Sequence, residues 1–353
     1  MPASHQPTSR WRSVVGTLAG AVLGVVFLVA VWGKGLDPSA FADQIRLEGL
    51  DFLFPALTVA LIALALEAGL GTALVLGVRR LWVLLPTVAL VLFFIFLTGR
   101  NYWLTARGLR DPSEACGCFG NLVERTPGEA FWQDLLLLGI PALLMFLGRG
   151  RGGGIAPLRA VVAGLVAVAS ILFAWKAPEL PLDNLATRLK PGVEVADLCA
   201  GRGAETVCLQ DVVPELLEGH HWVMLANPDT TAVADSIESL NEHALAALDG
   251  AAPPLWMVSG ALAEELQQFY WQLGPVFEVR EAPEALLKPL FRTLPRSFEV
   301  VDGRVESTVS GLPPAVVMTA ATAGNGLAVA SLGDPSADSD ETTNDEVQGH
   351  DAP

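Results

Sequence analysis

The chain has 353 residues, 52% of them hydrophobic and only 17% charged, with a mean hydropathy of +0.45. That composition excludes an ordinary soluble protein and calls for membrane lipid around part of the chain. The net charge of -16 gathers beyond about residue 176, and the last twenty residues carry no Lys or Arg, so there is no basic surface of the kind a nucleic-acid partner needs.

Five apolar runs follow one another: 14–32, 52–78, 81–99, 131–148 and 160–175. Each approaches the length needed to cross a bilayer as a helix. The first is long for the apolar part of a signal peptide, and no convincing small-x-small cleavage site follows it. Three basic segments fall on one side of a five-span arrangement: Arg10 and Arg12, Arg79 and Arg80, and Arg149, Arg151 and Arg159. By the positive-inside rule that side is the cytoplasm. Lys34, Arg46, Arg100, Arg107, Arg110 and Arg125 then lie on the outer side and count against this orientation. The very short basic link at Arg79-Arg80 carries more weight. The reading is therefore a bacterial-type inner-membrane protein with a cytoplasmic N-terminus, 1–12, a membrane domain, 13–176, and everything after it outside.

Beyond the spans, 177–192 is a polar, proline-bearing linker, and 193–314 mixes strand and helix signals. Strands are expected at 221–226 and 254–259, and helices at 232–248 and 261–273. A hairpin is expected from 297–301 and 304–308 about Asp302-Gly303. The segment 315–353 is small, polar and acidic, a composition that favours disorder.

Four cysteines fall into two groups. Cys116 and Cys118, in Ala115-Cys116-Gly117-Cys118-Phe119-Gly120, sit in a polar connection between spans three and four. A disulfide between residues i and i+2 closes almost no loop, so it gains little of the loop entropy that stabilises structural bridges. A ring that small is strained and easily reduced, which suits a pair that takes up and releases two electrons. The plainer alternative is two small residues packing a tight turn. Two thiolates alone do not complete a tetrahedral metal site, and no metal is expected. Cys199 and Cys208 are placed to form a disulfide in an oxidising compartment.

Glu67 interrupts the second span. A carboxylate at a helix centre in the bilayer costs roughly 3 kcal/mol, so it must be protonated, paired or turned to a polar cavity. It is a candidate proton relay, with Lys34 as partner only if Glu67 lies high in the span. The other reading is a hydrogen bond to a neighbouring helix. His220 and His221 point to opposite faces of a strand and have no evident metal partners.

Gly24-Val25-Val26-Phe27 precedes Lys34-Gly35-Leu36-Asp37-Pro38 and Phe41-Ala42. Leu66-Glu67-Ala68-Gly69-Leu70-Gly71 occupies span two, and Arg107-Gly108-Leu109 leads to Cys116-Gly117-Cys118-Phe119-Gly120. Together these runs resemble the DoxX-like membrane family, in particular its methylamine-utilisation branch, MauE, over roughly 12–175. The resemblance implies a compact helical bundle, thiols near the extracytoplasmic face, and a part in redox chemistry or maturation of secreted partners. No cofactor is identified; a quinone would be a fitting electron acceptor.

Residues 193–314 resemble a thioredoxin-like domain of secreted thiol oxidoreductases. Trp222-Val223-Met224-Leu225-Ala226-Asn227-Pro228-Asp229 stands for the first core strand, and Leu294-Pro295-Arg296-Ser297-Phe298 for the segment with the cis-proline, Pro295. Where that family has Cys-x-x-Cys at a helix start, the chain reads Thr230-Thr231-Ala232-Val233. Thr230 and Val233 cannot cycle between dithiol and disulfide, so the domain is expected to be a degenerate, binding version of the fold. The expected fold class is thus a helical membrane bundle plus an α/β thioredoxin-like domain lacking Cys-x-x-Cys. The expected role is extracytoplasmic thiol-disulfide chemistry or maturation of a client protein. The alternative is a non-enzymatic anchor or assembly subunit with a binding module.

Overall fold

The structure, a computed structural model, describes residues 8–78, 80–109, 125–148, 157–201 and 206–314. Cys116 and Cys118 and the tail from 315 onward lie outside the described residues. The membrane half contains α1 (Thr8–Leu36), α2 (Pro38–Leu47), α3 (Ala56–Val75), α4 (Leu81–Ala106), α5 (Pro127–Asp134), α6 (Ile140–Leu147) and α7 (Pro157–Lys176). Among the described residues five helical segments are long and apolar enough to cross a membrane, with α5 and α6 joined as one of them.

Sequence chemistry sets their ends. Pro55 precedes α3, which therefore starts at Ala56 and leaves Phe52, Leu53 and Phe54 exposed. Gly77, at φ 74°, closes the same helix in the left-handed conformation. Thr126 caps α5 by accepting from the Glu129 amide at 3.3 Å, while Glu129 accepts from the Thr126 amide at 3.1 Å. A wide π turn, Leu135–Gly139, joins α5 to α6. Pro141, just beyond it, has no N–H to continue the regular ladder, and the wider turn accommodates that loss. The fourth span thus begins earlier than the apolar run starting at Phe131 suggests, because Pro127-Gly128-Glu129 forms its capped first turn.

α1 is the hub of the bundle. Val14, Leu18, Val22, Val25, Val29 and Trp32 are exposed at helical spacing, as a lipid-facing stripe would be, while Ala19, Leu23, Phe27 and Ala30 are buried. Two glycine contacts set how closely its neighbours approach. A Cβ at Gly24 would lie 2.6 Å from the Gly71 carbonyl oxygen on α3, and one at Gly16 would lie 2.9 Å from the Gly148 Cα beyond α6. Without a hydrophobic drive between helices in lipid, such close backbone contact supplies much of the attraction.

The C-terminal domain follows the one-turn helix α8 (Asp183–Ala186). Its elements are β1 (Cys199–Ala200), β2 (Val207–Cys208), α9 (Leu209–Val212), β3 (His220–Leu225), α10 (Thr231–Asp235), α11 (Ile237–Leu248), β4 (Leu255–Ser259), α12 (Ala263–Leu273), β5 (Glu278–Glu281), α13 (Glu284–Leu287), β6 (Arg296–Val301) and β7 (Arg304–Ser310). The main sheet runs β5-β4-β3-β6-β7. β3, β4 and β5 are parallel; β6 and β7 are antiparallel to their neighbours. Side chains alternate across β3. Val223 and Leu225 join one core with Leu198, Leu209, Phe298 and Val300, whereas Trp222 and Met224 join another with Val233, Leu240, Met257 and Phe269. The sheet is therefore covered on both faces. Asp302 (φ 46°) and Gly303 (φ 79°) form the two-residue turn of the hairpin, the pair of positive φ angles a tight hairpin favours.

Besides the short elements β1, β2, α9 and α13, two further details depart from the sequence reading. The helix expected at 232–248 is two helices, because the chain turns at Ser236, which places Val233 and Leu240 in the same core. The strand β5 was not anticipated. Its sequence, Glu-Val-Arg-Glu, has little apolar pattern, and backbone pairing to β4 defines it.

Gly24→Ala is expected to lower the stability of the bundle by about 1–3 kcal/mol through overpacking against the α3 backbone. Gly164→Ala, where an added Cβ meets nothing within 4 Å, is expected to be neutral or slightly stabilising. Thermal denaturation of the full chain in one detergent compares the two.

Candidate functional site

Lys34 and Glu67 meet inside the bundle, with Nζ to Oε1 at 2.5 Å and both side chains buried. Glu67 lies near the middle of α3 rather than high in it, so the expected condition for the pairing is replaced by a different geometry. α1 and α3 run antiparallel: Gly24 faces Gly71, and the later Lys34 faces the earlier Glu67. Side chains lean toward the N-terminus of their own helix. Lys34 therefore leans back into the bundle and Glu67 leans toward it. The ammonium also sits over the rings of Phe41 and Phe94, 4.8 and 5.0 Å from their centroids, a favourable placement for a desolvated cation.

A second pair lies on α5 and just before it. Arg125 Nη1 donates to Asp134 Oδ1 at 3.2 Å, and both residues are buried. Sequence reasoning placed Arg125 in an external loop and gave Asp134 no role. An acid within an apolar run, with a base shortly upstream, was the available signal. A cavity of about 20 Å³ brings the pairs together, lined by Lys34, Glu67 and Asp134 among Val26, Phe27, Ala30, Phe94 and Leu138. Glu67 Oε2 and Asp134 Oδ2 have no hydrogen-bond partner among the described residues.

Several contacts hold the ends of the helices together on the side where α1 ends. Trp32 stacks on Phe173 of α7, Tyr102 of α4 stacks on Phe131 of α5, and Glu48 beyond α2 pairs with Arg100 and accepts from Asn101. The chain enters the C-terminal domain from this end, and Leu109 and Arg125, which flank the segment with Cys116 and Cys118, belong to it as well. Lys34, Arg46, Arg100 and Arg125, all expected in loops of this side, are each paired with a carboxylate.

In the C-terminal domain, the residue before β6 forms a cis peptide bond, Leu294–Pro295. Arg296 follows it and pairs in register with Leu225 at the end of β3, so Pro295 lies beside the chain leaving β3 toward α10. Thr230 is the N-cap residue of α10, and its Oγ1 accepts from the Asn227 amide at 3.2 Å. Val233 is fully buried. Neither side chain carries a thiol, so they offer no dithiol-disulfide couple. Cys199 and Cys208 face each other across β1 and β2 and form a disulfide. Among the described residues no group of three His, Cys, Asp or Glu side chains is placed to hold a metal.

Basic side chains tie this domain to the membrane exit. Arg292 Nη2 donates to the Ala177 carbonyl at 2.7 Å, directly after α7. Arg296 is buried beside Asp183 (3.3 Å) and donates to Asn184 Oδ1 and the Leu189 carbonyl. Burial pushes the Arg296 guanidinium below its usual pKa; Asp183 acts against this and Arg292 with it. Thr308 and Ser310 on β7 donate to Asn184 and Asp183. These residues were not singled out from sequence, because each pairing joins positions more than a hundred residues apart.

Residues 12–148 match the family described as methylamine utilisation protein MauE. No curated protein matches the chain. Among solved structures, similarity is found to a chain assigned as a thiol:disulfide interchange protein DsbE from Chlorobium tepidum (17% identity, 41% of this chain and 99% of that one, TM-score 0.29). It is also found to the thioredoxin domain of a thiol-disulfide oxidoreductase from Bacteroides vulgatus (11%, 38% and 97%, TM-score 0.29). These scores carry no argument of their own. The thioredoxin-like character of the domain rests on its strand order, its mixed directions and the position of Pro295.

Lys34→Met alone is expected to destabilise the bundle by about 3–5 kcal/mol, because it strands a buried carboxylate. The double replacement Lys34→Met with Glu67→Leu is expected to recover most of that loss, as read by thermal denaturation in detergent. Replacing Cys199 and Cys208 by Ser is expected to lower the stability of the C-terminal domain by about 2–3 kcal/mol, from the short loop the disulfide closes. Urea denaturation of the full chain tests this.

Proposed function

We propose that this protein, a membrane protein with a MauE-like bundle and a thioredoxin-like domain, carries out thiol-disulfide redox chemistry on the outer face of a bacterial inner membrane in the maturation of a client protein. In this reading Cys116 and Cys118 are the redox pair. Oxidation of the dithiol releases two electrons and two protons; the electrons pass to a lipid-soluble acceptor of the quinone class. The degenerate domain binds the client without exchanging disulfides with it. Lys34 and Glu67 handle protons for the thiol step.

One observation carries the proposal. The ends of the segment holding Cys116 and Cys118 share an end of the bundle with the entry to the thioredoxin-like domain, held there by the Tyr102–Phe131, Trp32–Phe173 and Glu48–Arg100 contacts. A client bound at that end would lie where this segment leaves and rejoins the bundle. The Cys199–Cys208 disulfide favours an oxidising compartment for that end. The basic link at Arg79-Arg80 favours the cytoplasm for the other. The basic residues that count against this orientation include four paired with carboxylates, and two of these, Lys34 and Arg125, are buried in the bundle.

A second reading, an anchor or assembly subunit with a binding module, is favoured by Val233, whose full burial makes the expected cysteine position a core position. Two experiments separate the readings. Reporter fusions after residues 79, 150 and 185 are expected to report inside, inside and outside; an inside signal at 185 removes the oxidising environment the proposal needs. Cys116→Ser with Cys118→Ser is expected to leave insertion and expression nearly unchanged and abolish client maturation. Full function in that variant would favour the anchor.

A further inference from the structure

We propose that Glu67, Asp134 and Lys34 form a site for one water molecule and one exchangeable proton inside the membrane bundle. Its use depends on the proposed thiol chemistry; its existence does not. The cavity these residues line has a volume of about 20 Å³, enough for about one water, and a buried water typically makes about three hydrogen bonds. The polar groups lining it match that requirement. Glu67 Oε2 and Asp134 Oδ2 are buried acceptors without partners among the described residues, and Lys34 Nζ carries N–H donors beyond the one used at Glu67 Oε1. The remaining wall is apolar, including Phe27, Phe94 and Leu138, so a water there is directed to these three groups.

The charges explain why the site can exchange a proton. Lys34 comes from α1, Glu67 from α3, Asp134 from α5 and Arg125 from the turn before it. α2 and α4 place the rings of Phe41 and Phe94 against Lys34. Two cations and two carboxylates sum to zero, which limits the cost of holding them in a bilayer. Arg125 Nη1 donates to Asp134 Oδ1. The oxygens left open to a mobile proton are therefore Glu67 Oε2 and Asp134 Oδ2. A proton arriving at Glu67 Oε2 converts the carboxylate to a carboxyl. It leaves through the water to Asp134 Oδ2, returning Glu67 to its charged form. No electron moves and no covalent bond other than O–H changes in this step. α5 gives way to the π turn immediately after Asp134, a distortion common at functional positions.

Infrared spectroscopy of the full chain in lipid nanodiscs tests the site. A protonated-carboxyl band that titrates with pH and shifts on exchange into D2O is expected. Glu67→Gln should lower its amplitude by the share that Glu67 carries, and an unchanged band overturns the assignment to this site. Asp134→Asn, which keeps an acceptor for Arg125, should keep the band and slow its deuterium shift by at least about tenfold. The absence of any titrating carboxyl band in the unsubstituted protein overturns the proposal, as does an Asp134→Asn variant that exchanges as fast as the parent. If Asp134→Asn fails to fold, the unsubstituted protein still decides: a carboxyl band that resists exchange into D2O reports a dry carboxyl and overturns the proposal. The Cys116→Ser/Cys118→Ser variant should retain the band and its deuterium shift. That result would leave the proton site standing even if the redox proposal failed, whereas loss of both in that variant overturns the site as an independent feature.

Discussion

One buried ion pair, Lys34 with Glu67, constrains the whole membrane half. A lone carboxylate or ammonium in hydrocarbon is expensive, so each helix that carries one must be held where its partner can reach. The Gly24–Gly71 contact brings the backbones of α1 and α3 close. The N-terminal lean of side chains on antiparallel helices then carries the two charges toward each other. Arg125 and Asp134 extend the polar centre to the fourth span. The bundle thus encloses these two ion pairs and a small cavity where Lys34, Glu67 and Asp134 converge, while much of its outside is apolar.

The thioredoxin-like domain is coupled to this bundle through the residues around its cis-proline. Arg292 reaches the backbone just after α7, and Arg296 secures the linker helix α8 against β6 and β7 with help from Thr308 and Ser310. These contacts tie the start of β6 and the end of β7 to the chain that leaves the membrane. In an active thioredoxin-like domain the thiols follow the strand beside the cis-proline; here that strand, β3, leads to Thr230 and Val233. The proposed function rests on this departure: a domain without the thiol pair is proposed to bind, and the chemistry is proposed for Cys116 and Cys118.

Much of the architecture was legible in the chain. The apolar runs announce the spanning helices because lipid admits few other solutions. Asp302-Gly303 between β-branched runs announces the hairpin because few other residues accept its backbone angles. The departure from Cys-x-x-Cys was also visible directly. What could not be read depends on three-dimensional reach. Lys34 reads as a loop residue until the antiparallel lean turns it inward. Arg125 and Asp134 are close in sequence, but only the capped turn at Thr126 brings them into the bundle as a pair. β5 has too little apolar pattern to register, and the break at Ser236 serves the packing of Val233 with Leu240 rather than any local preference. Arg296 and Asp183 meet only after the sheet has formed.

The central claim is that Cys116 and Cys118 cycle between dithiol and disulfide while Cys199 and Cys208 remain bonded. Differential thiol trapping of the full chain in intact membranes tests it most directly, with mild reductant and then oxidant applied from the outside. The account predicts that Cys116 and Cys118 become alkylated together after mild reduction and protected again after oxidation, with Cys199 and Cys208 unlabelled throughout. Cys116 and Cys118 labelled equally before and after oxidation would contradict it.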